Sequence, residues 1–452
     1  MDYTLWSSPV SGQGLYAFSP FTFSNRFYKY DSTINAPATT GFYNNSLGFS
    51  ISGLNSDGVN GSDGNSVPFA LGKGYLIRVP WNHPTAATPT IYNGIFTGSP
   101  NNGTLTPSIT DAGDSFNSAG NPYPSPITTT QLNTDNTSNI FPTLYFWRKT
   151  NSTSNPTYCT YNIATSSYTG NGQPGETDPL GVIQTGQGFL VEARPSATSI
   201  AFNNGQRIGN NDNRFFRASA NATASPTTIE AHRVWLNMTG ATTGFSQTLV
   251  GYFAGASLGV DDFDSLFFND GVIAFSSTIA NTDYAIQARP LPFDAADVVA
   301  MKYKVTAAGN YTIAIDHEDG LFTAGSQIVY VRDNVTTTIH DLNSGGYTFA
   351  SDAGTFDSRF EILYQLPLHV DNPTFNANQV VIYKNEVNDI VVNTGNVIMA
   401  SVKIFDIRGR LLVEKKAINA SQTAMNVSMA NEVLLVQITS VDGVMVTKKI
   451  VR

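Results

Sequence analysis

Short runs in which apolar and polar residues alternate recur along the chain of 452 residues. In the stretch SVKIFDIRGRLLVEKK, Val402 and Ile404 precede a turn at Gly409, and Leu411 and Val413 follow it. The alternation predicts that these four apolar side chains point to one side of a β-hairpin, because a period of two broken by a glycine is typical of hairpins. No window keeps helical periodicity for more than a turn or two. The chain is therefore predicted to be all-β.

The first half of the chain contains two segments with shared landmarks. The motifs LWSSPVSG, RFYKYDS and LGKGYLIRV of the first segment correspond to GNPYPSPI, LYFWRKT and TGQGFLVEA of the second. Gly74 and Gly188 are 114 residues apart, and Pro9 and Pro124 are 115 apart. Matched landmarks at matched spacing predict two copies of one β-domain, with aligned glycines before equivalent strands. No helix-forming segment follows these glycines, which excludes a phosphate-binding loop and favours a structural turn.

The remaining boundaries follow from changes in pattern. A third series of strands runs from HRVWLNMTG to GTFDSRFEILY with Gly, Asn and Asp turns between them, as in sandwiches and jelly rolls. An unpatterned, proline-bearing stretch after it predicts a linker. We expect tandem β-sandwich or jelly-roll-like domains and then a small β-module, at residues 1–110, 111–218 and 228–366, with a linker at 367–379 and the module at 380–452.

Composition narrows the class of function. The net charge is −9 and the pI about 5.0, without a basic stripe, so nucleic acid is not an expected partner. Cys159 is the single cysteine, which excludes an intrachain disulfide and a thiolate metal cluster. No apolar run approaches the length of a membrane span, and the first residues lack the basic start and apolar core of a signal peptide. The sequence is therefore interpreted as a mature or trimmed chain.

Candidate catalytic and metal-binding residues are few. GASLG matches the nucleophile-elbow pattern around Ser257, but the VDDFDSLF that follows does not start a helix, so no catalytic residue is assigned. Oxygen ligands close in sequence could bind calcium, here Asp261, Asp262, Asp264 and Asp270. The EF-hand spacing is missing, and acidic residues are common in turns without a metal. No cofactor is expected, with calcium as the alternative.

Three aromatic residues are candidates for contact with sugars. If exposed, Trp81, Trp147 and Tyr123 could stack on sugar rings in a lectin-like site. The competing interpretation is that such residues cover the end of a sandwich core. The sequence leaves both interpretations open.

From Val380 onward the chain resembles the C-terminal sorting domains of proteins that the type IX secretion system of Bacteroidota exports. Residues 405–410 (FDIRGR) are similar to the YDxxGR turn of that family, and the apolar run 433–438 and the closing residues 448–452 also match. The resemblance assigns the sorting signal to Phe405, Asp406, Arg408, Gly409, Arg410, Lys448 and Lys449. Lys384-Asn385-Glu386 replaces the usual Pro-Asn-Pro-like start, which indicates a flavobacterial variant.

The resemblance implies a small immunoglobulin-like β-sandwich that the translocon and an outer-membrane shuttle barrel recognise. The protein is then expected at the cell surface or secreted, after passing the periplasm and the outer membrane. The first 366 residues resemble stalk-like domains of flavobacterial surface proteins, which implies a non-enzymatic role in adhesion, gliding or surface assembly. The alternatives are a carbohydrate-binding surface protein with glycan ligands and an enzyme with a deep polar pocket.

Basic residues are concentrated in this C-terminal module. They are Lys403, Arg408, Arg410, Lys415, Lys416, Lys448 and Lys449. Exposed lysines and arginines can serve as a recognised surface, or they can protect strand edges from aggregation. The order of the motifs favours recognition.

Overall fold

The chain divides into two compact units, Met1–Leu366 and Pro367–Arg452, in a computed structural model. The structure describes residues 3–23, 26–32, 68–84, 90, 92–148, 154–173, 176, 178–209, 229–268, 271–366, 375–427 and 433–451. Strands dominate both units, and the two α-helices of the described part are short. The predicted all-β class is confirmed.

The region of the two sequence repeats is built from short strands. They are β1 (Tyr3–Trp6), β2 (Val10–Ser11), β3 (Phe27–Lys29), β4 (Tyr75–Arg78), β5 (Ser99–Pro100), β6 (Phe116–Gly120), β7 (Ile127–Thr128), β8 (Ile140–Trp147), β9 (Tyr158–Asn162), β10 (Ser167–Thr169), β11 (Val182–Ile183) and β12 (Gly188–Ala193). The helices are α1 (Leu15–Phe18), α2 (Thr129–Asn136) and a 3₁₀ turn at Asn204–Gln206. The main sheets have the orders β1-β4-β3 and β10-β9-β8-β12-β6, and the pairs β11-β7 and β2-β5 are separate.

The two repeats place their glycines in equivalent elements. Gly72 and Gly186 occupy turns with φ of 63° and 75°, and β4 and β12 start within three residues of them. The central strands also pair in the same register, Trp6 with Tyr75 in the first repeat and Ala119 with Phe189 in the second. The correspondence predicted from the sequence is confirmed at these positions.

The repeats contact each other reciprocally. The Ser7 amide donates to the Gly186 carbonyl at 2.9 Å, and the equivalent Gly120 amide donates to the Gly72 carbonyl at 3.0 Å. Single β-bridges likewise join Trp6 to Gln187 and Ala119 to Lys73. Exchange of the same contacts in both directions defines an approximate two-fold axis between the repeats, as in an isologous dimer interface.

The third region is one large curved sheet. Its strands are β13 (Ala231–Gly240), β14 (Phe245–Phe253), β15 (Ser265–Leu266), β16 (Ile273–Ile279), β17 (Thr282–Pro290), β18 (Val298–Val305), β19 (Gly309–Glu318), β20 (Tyr330–Asp333), β21 (Thr338–Asp341), β22 (Tyr347–Ser351) and β23 (Gly354–Leu363), with 3₁₀ turns at Gly320–Gly325 and Leu342–Ser344. The order is β21-β20-β23-β18-β16-β17-β14-β13-β19-β22, with β15 added beside β17. Apolar side chains from most of these strands form a single buried cluster that this sheet encloses.

Side chains connect one end of this sheet, at β20 and β23, with the edge strand β22 of the other end. Asp333 on β20 is fully buried and accepts hydrogen bonds from Arg359 Nη2 at 2.9 Å and from the Tyr347 hydroxyl at 3.0 Å. Arg359 also donates to the Ala350 carbonyl of β22 at 2.9 Å. Arg359, on β23, therefore links β20 to the edge strand β22 at the opposite end of the sheet order, although the described strands of these two ends share no ladder.

The third region packs directly on the second repeat. Trp235 Nε1 donates to the Tyr168 carbonyl at 2.6 Å, and Arg233 donates to Ser167 Oγ at 3.2 Å. Gln247 Oε1 accepts from the Gly170 amide at 2.8 Å. These polar contacts explain why residues 1–366 form one unit although the sequence pattern changes twice within it.

The C-terminal unit is a two-layer sandwich. Its strands are β24 (Val381–Lys384), β25 (Ile390–Asn393), β26 (Met399–Asp406), β27 (Leu411–Ala420), β28 (Gln422–Met425), β29 (Val433–Ser440) and β30 (Met445–Val451). They form sheets of order β24-β25-β28 and β27-β26-β29-β30, and both contribute to one buried cluster. Alternation explains this core, since residues such as Val402, Ile404 and Val436 are buried while their neighbours face outward.

The predicted hairpin is present, but one of its side chains points elsewhere. Strands β26 and β27 pair as expected, with a register shift between Ile404 and Phe405. Beyond this bulge Leu411 lies opposite Phe405 and is 45% exposed, whereas Val413 packs on the core. The prediction that Leu411 shares a face with Val402 and Ile404 is therefore wrong, because one extra residue reverses the alternation.

Candidate functional site

The turn that resembles the sorting signal is held by one carboxylate. Asp406 Oδ1 accepts hydrogen bonds from the amides of Arg408 and Arg410 at 3.0 and 2.9 Å, and Oδ2 accepts from Arg410 Nε at 3.1 Å. The bond from the Arg410 amide is the main cause that lowers the pKa of Asp406 below its usual value. Gly409 has φ of 80°, as the sequence predicts for a tight turn. The result is a hydrogen-bonded turn that exposes both arginines to solvent.

The predicted basic residues divide into two groups. Arg408, Lys415, Lys416 and Lys449 are exposed like Arg410, whereas Lys403 is half-buried. Lys403 and Lys416 each lie 3.6 Å from Glu414. Lys448 is half-buried, and its Nζ donates to the Val380 carbonyl at 2.5 Å. Lys448 is therefore a structural contact between β30 and the start of the unit, while Lys449 faces outward. The structure does not place the seven residues in one cluster.

An apolar strip crosses the outer face of the four-stranded sheet. Leu411 pairs with Phe405, Phe405 pairs with Leu435, and Val433 pairs with Val451 on the neighbouring strand. All five side chains lie opposite the core-facing positions of their strands and retain exposed surface. Lys449 pairs with Leu435 at one side of the strip, and Arg410 precedes Leu411 at the other. We call Phe405, Leu411, Val433, Leu435 and Val451 the apolar strip.

The acidic loop proposed for calcium joins two parts of the first unit. Asp262 forms an ion pair with Arg194 at 2.6 Å. Asp264 is 7% exposed and accepts from the Asp261 and Ala288 amides, both at 2.9 Å. The Asp261 carboxylate accepts from the amides of Ser257 and Phe263. Asp270 lies outside the described residues.

These contacts give the aspartates a structural role. Asn162 of the second repeat donates to the carbonyls of Asp262 and Asp264, and Thr143 hydrogen-bonds to Ser265 at 2.9 Å. Burial raises the pKa of Asp264 to about 6, although two amides and Arg289 oppose the shift. Within the described residues no three His, Cys, Asp or Glu side chains are grouped as a metal site would need. The carboxylates fix the loop against the second repeat.

The surroundings of Ser257 differ from a nucleophile elbow. Its hydroxyl donates to the Gly259 carbonyl at 3.1 Å, and the side chain is exposed. Turns and the two-residue strand β15 follow it instead of a helix. Ser257 lies in the same loop as Asp261. The Asp261 carboxylate accepts a hydrogen bond from the Ser257 amide at 2.8 Å.

Two of the three candidate sugar-binding aromatics are buried. Trp147 is 4% exposed and Tyr123 is fully buried, so the expectation of exposure is wrong for both. The Trp147 indole donates to the Tyr3 carbonyl at 3.0 Å, and the Tyr123 hydroxyl donates to the Gly103 carbonyl at 2.6 Å. Both rings complete internal packing between segments distant in sequence. Trp81 remains exposed, in edge-to-face contact with exposed Phe21.

A cleft at the junction of the two repeats is absent from the sequence predictions. It has a volume of about 290 Å³ and is lined mainly by polar residues, among them Lys29, Asp31, Lys73, Thr110, Asn117 and Ser118. Lys73 lies in LGKGY, where the second repeat has Gln187 in TGQGF. This substitution of a neutral residue by a charged one within otherwise matched motifs is the signal that could have identified the cleft.

The fold and these surfaces define an all-β protein with two units, of which the smaller presents a basic turn beside an apolar strip. The chain belongs to the family described as a domain of unknown function, DUF8693, whose model matches residues 1–364. A second domain of unknown function, DUF8694, matches residues 368–452. No curated protein matches the chain. No helix of the described residues is long and apolar enough to cross a membrane.

Proposed function

We propose that the protein is a non-enzymatic secreted or surface-displayed protein that a type IX secretion system exports, with residues 380–452 as the sorting domain. The observation that carries the proposal is the turn at Asp406–Arg410. A buried carboxylate and a positive-φ glycine fix the backbone of Arg408 and Arg410, and Arg410 Nε also bonds to that carboxylate, while both side chains stay exposed. A turn with a fixed backbone that exposes two cations is suited to recognition, because little backbone freedom is lost on binding.

The apolar strip supports the same proposal. Surface that is apolar and flanked by cations is typical of protein interfaces, where a desolvated centre is surrounded by a polar rim. The translocon and the shuttle barrel are the partners that the resemblance implies. In this proposal the first unit, residues 1–366, acts outside the cell in adhesion, gliding or surface assembly.

The test is export of the full chain in a flavobacterium with a functional type IX system and in an isogenic strain without it. We expect surface exposure only in the first strain, and periplasmic retention of residues 1–366 alone in both. Equal export of the full chain from the strain without the system would overturn the proposal.

Point variants locate the recognised surface. Leu411→Thr removes exposed apolar surface from the strip, and Val387→Thr removes a comparable side chain from the turn between β24 and β25. We expect at least a tenfold loss of export for the first variant and unchanged export for the second. Circular dichroism of the purified chains checks that both fold.

A carbohydrate-binding function is the second candidate, and one observation favours it. Phe21 and Trp81 are 46% and 41% exposed with ring centroids 6.3 Å apart, and aromatic faces of this kind stack on sugar rings. Glycan-array binding that Trp81→Ala abolishes would support this function. Export can be measured independently of it.

A further inference from the structure

The cleft at the repeat junction breaks the approximate two-fold symmetry of the repeats. Ser118 lines the cleft, and the register of the central strands makes Leu5 its equivalent in the other repeat. Leu5 is buried in an apolar cluster, whereas the Ser118 hydroxyl donates to the Gly74 carbonyl. Tyr75 and Lys73 of the cleft correspond to Phe189 and Gln187. All three positions are more polar on the cleft side.

Lys73 contributes a positive charge without an acidic partner. Its Nζ donates to the Ser108 carbonyl, and no carboxylate of the described residues lies within ion-pair distance of it. Burial lowers the pKa of this ammonium group, which shows that the fold does not offset its desolvation. An ammonium group has three donors, so at least one more acceptor can be bound there.

The other charged groups leave the lining net positive. Lys29 on β3 adds a second ammonium group and Asp31 one carboxylate. Asp114, which lies near Asp31, accepts a hydrogen bond from the Tyr30 hydroxyl. The volume is at the lower end of the range for small-molecule sites, which limits the size of a ligand.

We propose that the junction cleft binds a small molecule through a carboxylate or phosphate group, held by Lys73 and Lys29 with the Ser118 hydroxyl beside them. The class of ligand follows from the charge of the lining, and its size follows from the volume. This inference concerns the first unit and is independent of export by the second.

The test is thermal unfolding of the full chain in increasing sodium phosphate, sodium acetate or sodium chloride at constant ionic strength. A ligand that binds only the folded state raises the melting temperature in proportion to ln(1 + [L]/Kd). We expect an increase that follows this logarithmic dependence with phosphate or acetate, and none with chloride. A larger response to one of the two anions identifies the preferred group.

Two variants replace a residue of the cleft by the residue found at the equivalent position of the other repeat. Lys73→Gln introduces the residue found at position 187, and Ser118→Leu introduces the residue found at position 5. We expect each to abolish the stabilisation by anions, while Lys304→Met, an exposed lysine on β18, keeps it. Two results would overturn the inference. One is the absence of a stabilisation specific to phosphate or acetate in the unmodified chain, and the other is its retention in Lys73→Gln or Ser118→Leu when that variant folds.

Discussion

The two units use their charged residues differently. Residues 1–366 contain 16 Lys and Arg against 27 Asp and Glu, and residues 367–452 contain 9 against 7. In the first unit several largely buried arginines form ion pairs within the fold. They are the pairs Arg359–Asp333, Arg289–Asp297 and Arg233–Asp319. In the second unit Arg408, Lys415 and Lys449 face solvent. Charged side chains of the first unit therefore stabilise its fold, whereas several of those in the second unit remain exposed.

Exposed apolar side chains show the same contrast. Half of the large exposed apolar residues in the described part of the chain belong to residues 367–452, which make up less than a fifth of its length. Such an excess of apolar surface marks interaction sites in soluble proteins. The comparison predicts that substitutions of charge will destabilise the first unit and leave the stability of the second nearly unchanged.

The largest effect is expected for Asp333→Ala. This change leaves Arg359 buried without its partner and removes the acceptor of the Tyr347 hydroxyl, which connects β20 to the edge strand β22. Loss of one partner of a buried ion pair typically costs about 3–5 kcal/mol. Urea unfolding followed by tryptophan fluorescence measures this loss. The control is Asp333→Ala with Arg359→Met, which we expect to recover part of the stability; no recovery would contradict the pairing.

A smaller effect depends on pH at Asp264. Burial raises the pKa of this carboxyl to about 6 in the folded chain, above an unfolded value of about 4. Its contribution to stability is therefore complete below pH 4 and is lost as the pH rises through 6, by about 2–3 kcal/mol. We expect the free energy of unfolding of the unmodified chain to fall relative to Asp264→Asn over this interval. A constant difference between pH 4 and 7 would exclude the raised pKa.

A comparable or smaller effect is expected at the repeat junction. A Cβ on Gly120 would lie 2.2 Å from Ser7 Cβ, so Gly120→Ala forces the two repeats apart. Overpacking of this kind typically costs about 1–3 kcal/mol. The control is Gly309→Ala, whose Cβ would meet no atom within 4 Å and whose φ, like that of Gly120, is not positive. If both variants lose the same stability, the contact between the repeats does not explain the loss.

The sequence predicts the local features of this fold well. The alternation around Gly409 and the repeat of Gly72 and Gly186 indicate turns and strands correctly, because both depend on residues near one another. The sequence does not predict the docking of Asp264 on the second repeat, the burial of Trp147, or the bulge that exposes Leu411. Each of these depends on contacts between distant segments or on the insertion of one residue into a ladder, which local periodicity does not encode.

The stability of the second unit should tolerate changes in the turn at Asp406–Arg410, with one exception. Gly409 has φ of 80° and free space around it, so Gly409→Val is opposed by backbone strain alone. A β-branched residue in this region costs about 1–2 kcal/mol. Thermal unfolding of the full chain should show a lower melting temperature for the transition of residues 367–452 only. Gly443→Val, in the turn before β30 with φ of 83°, is the matched variant and should lose a similar amount.

The smallest effect on stability is expected for Arg408→Glu. The side chain is exposed and only its amide contacts Asp406, so the free energy of unfolding should change by less than about 0.5 kcal/mol. Reversal of this charge nevertheless changes the cationic surface of the turn by two units. If a partner recognises that cationic surface, export of the full chain should fall at least tenfold while the melting temperature stays constant. Lys304→Glu, at an exposed position on β18 of the first unit, reverses a charge away from the turn and should leave export unchanged. Equal export of the unmodified chain and Arg408→Glu would show that the charge of this turn is not recognised.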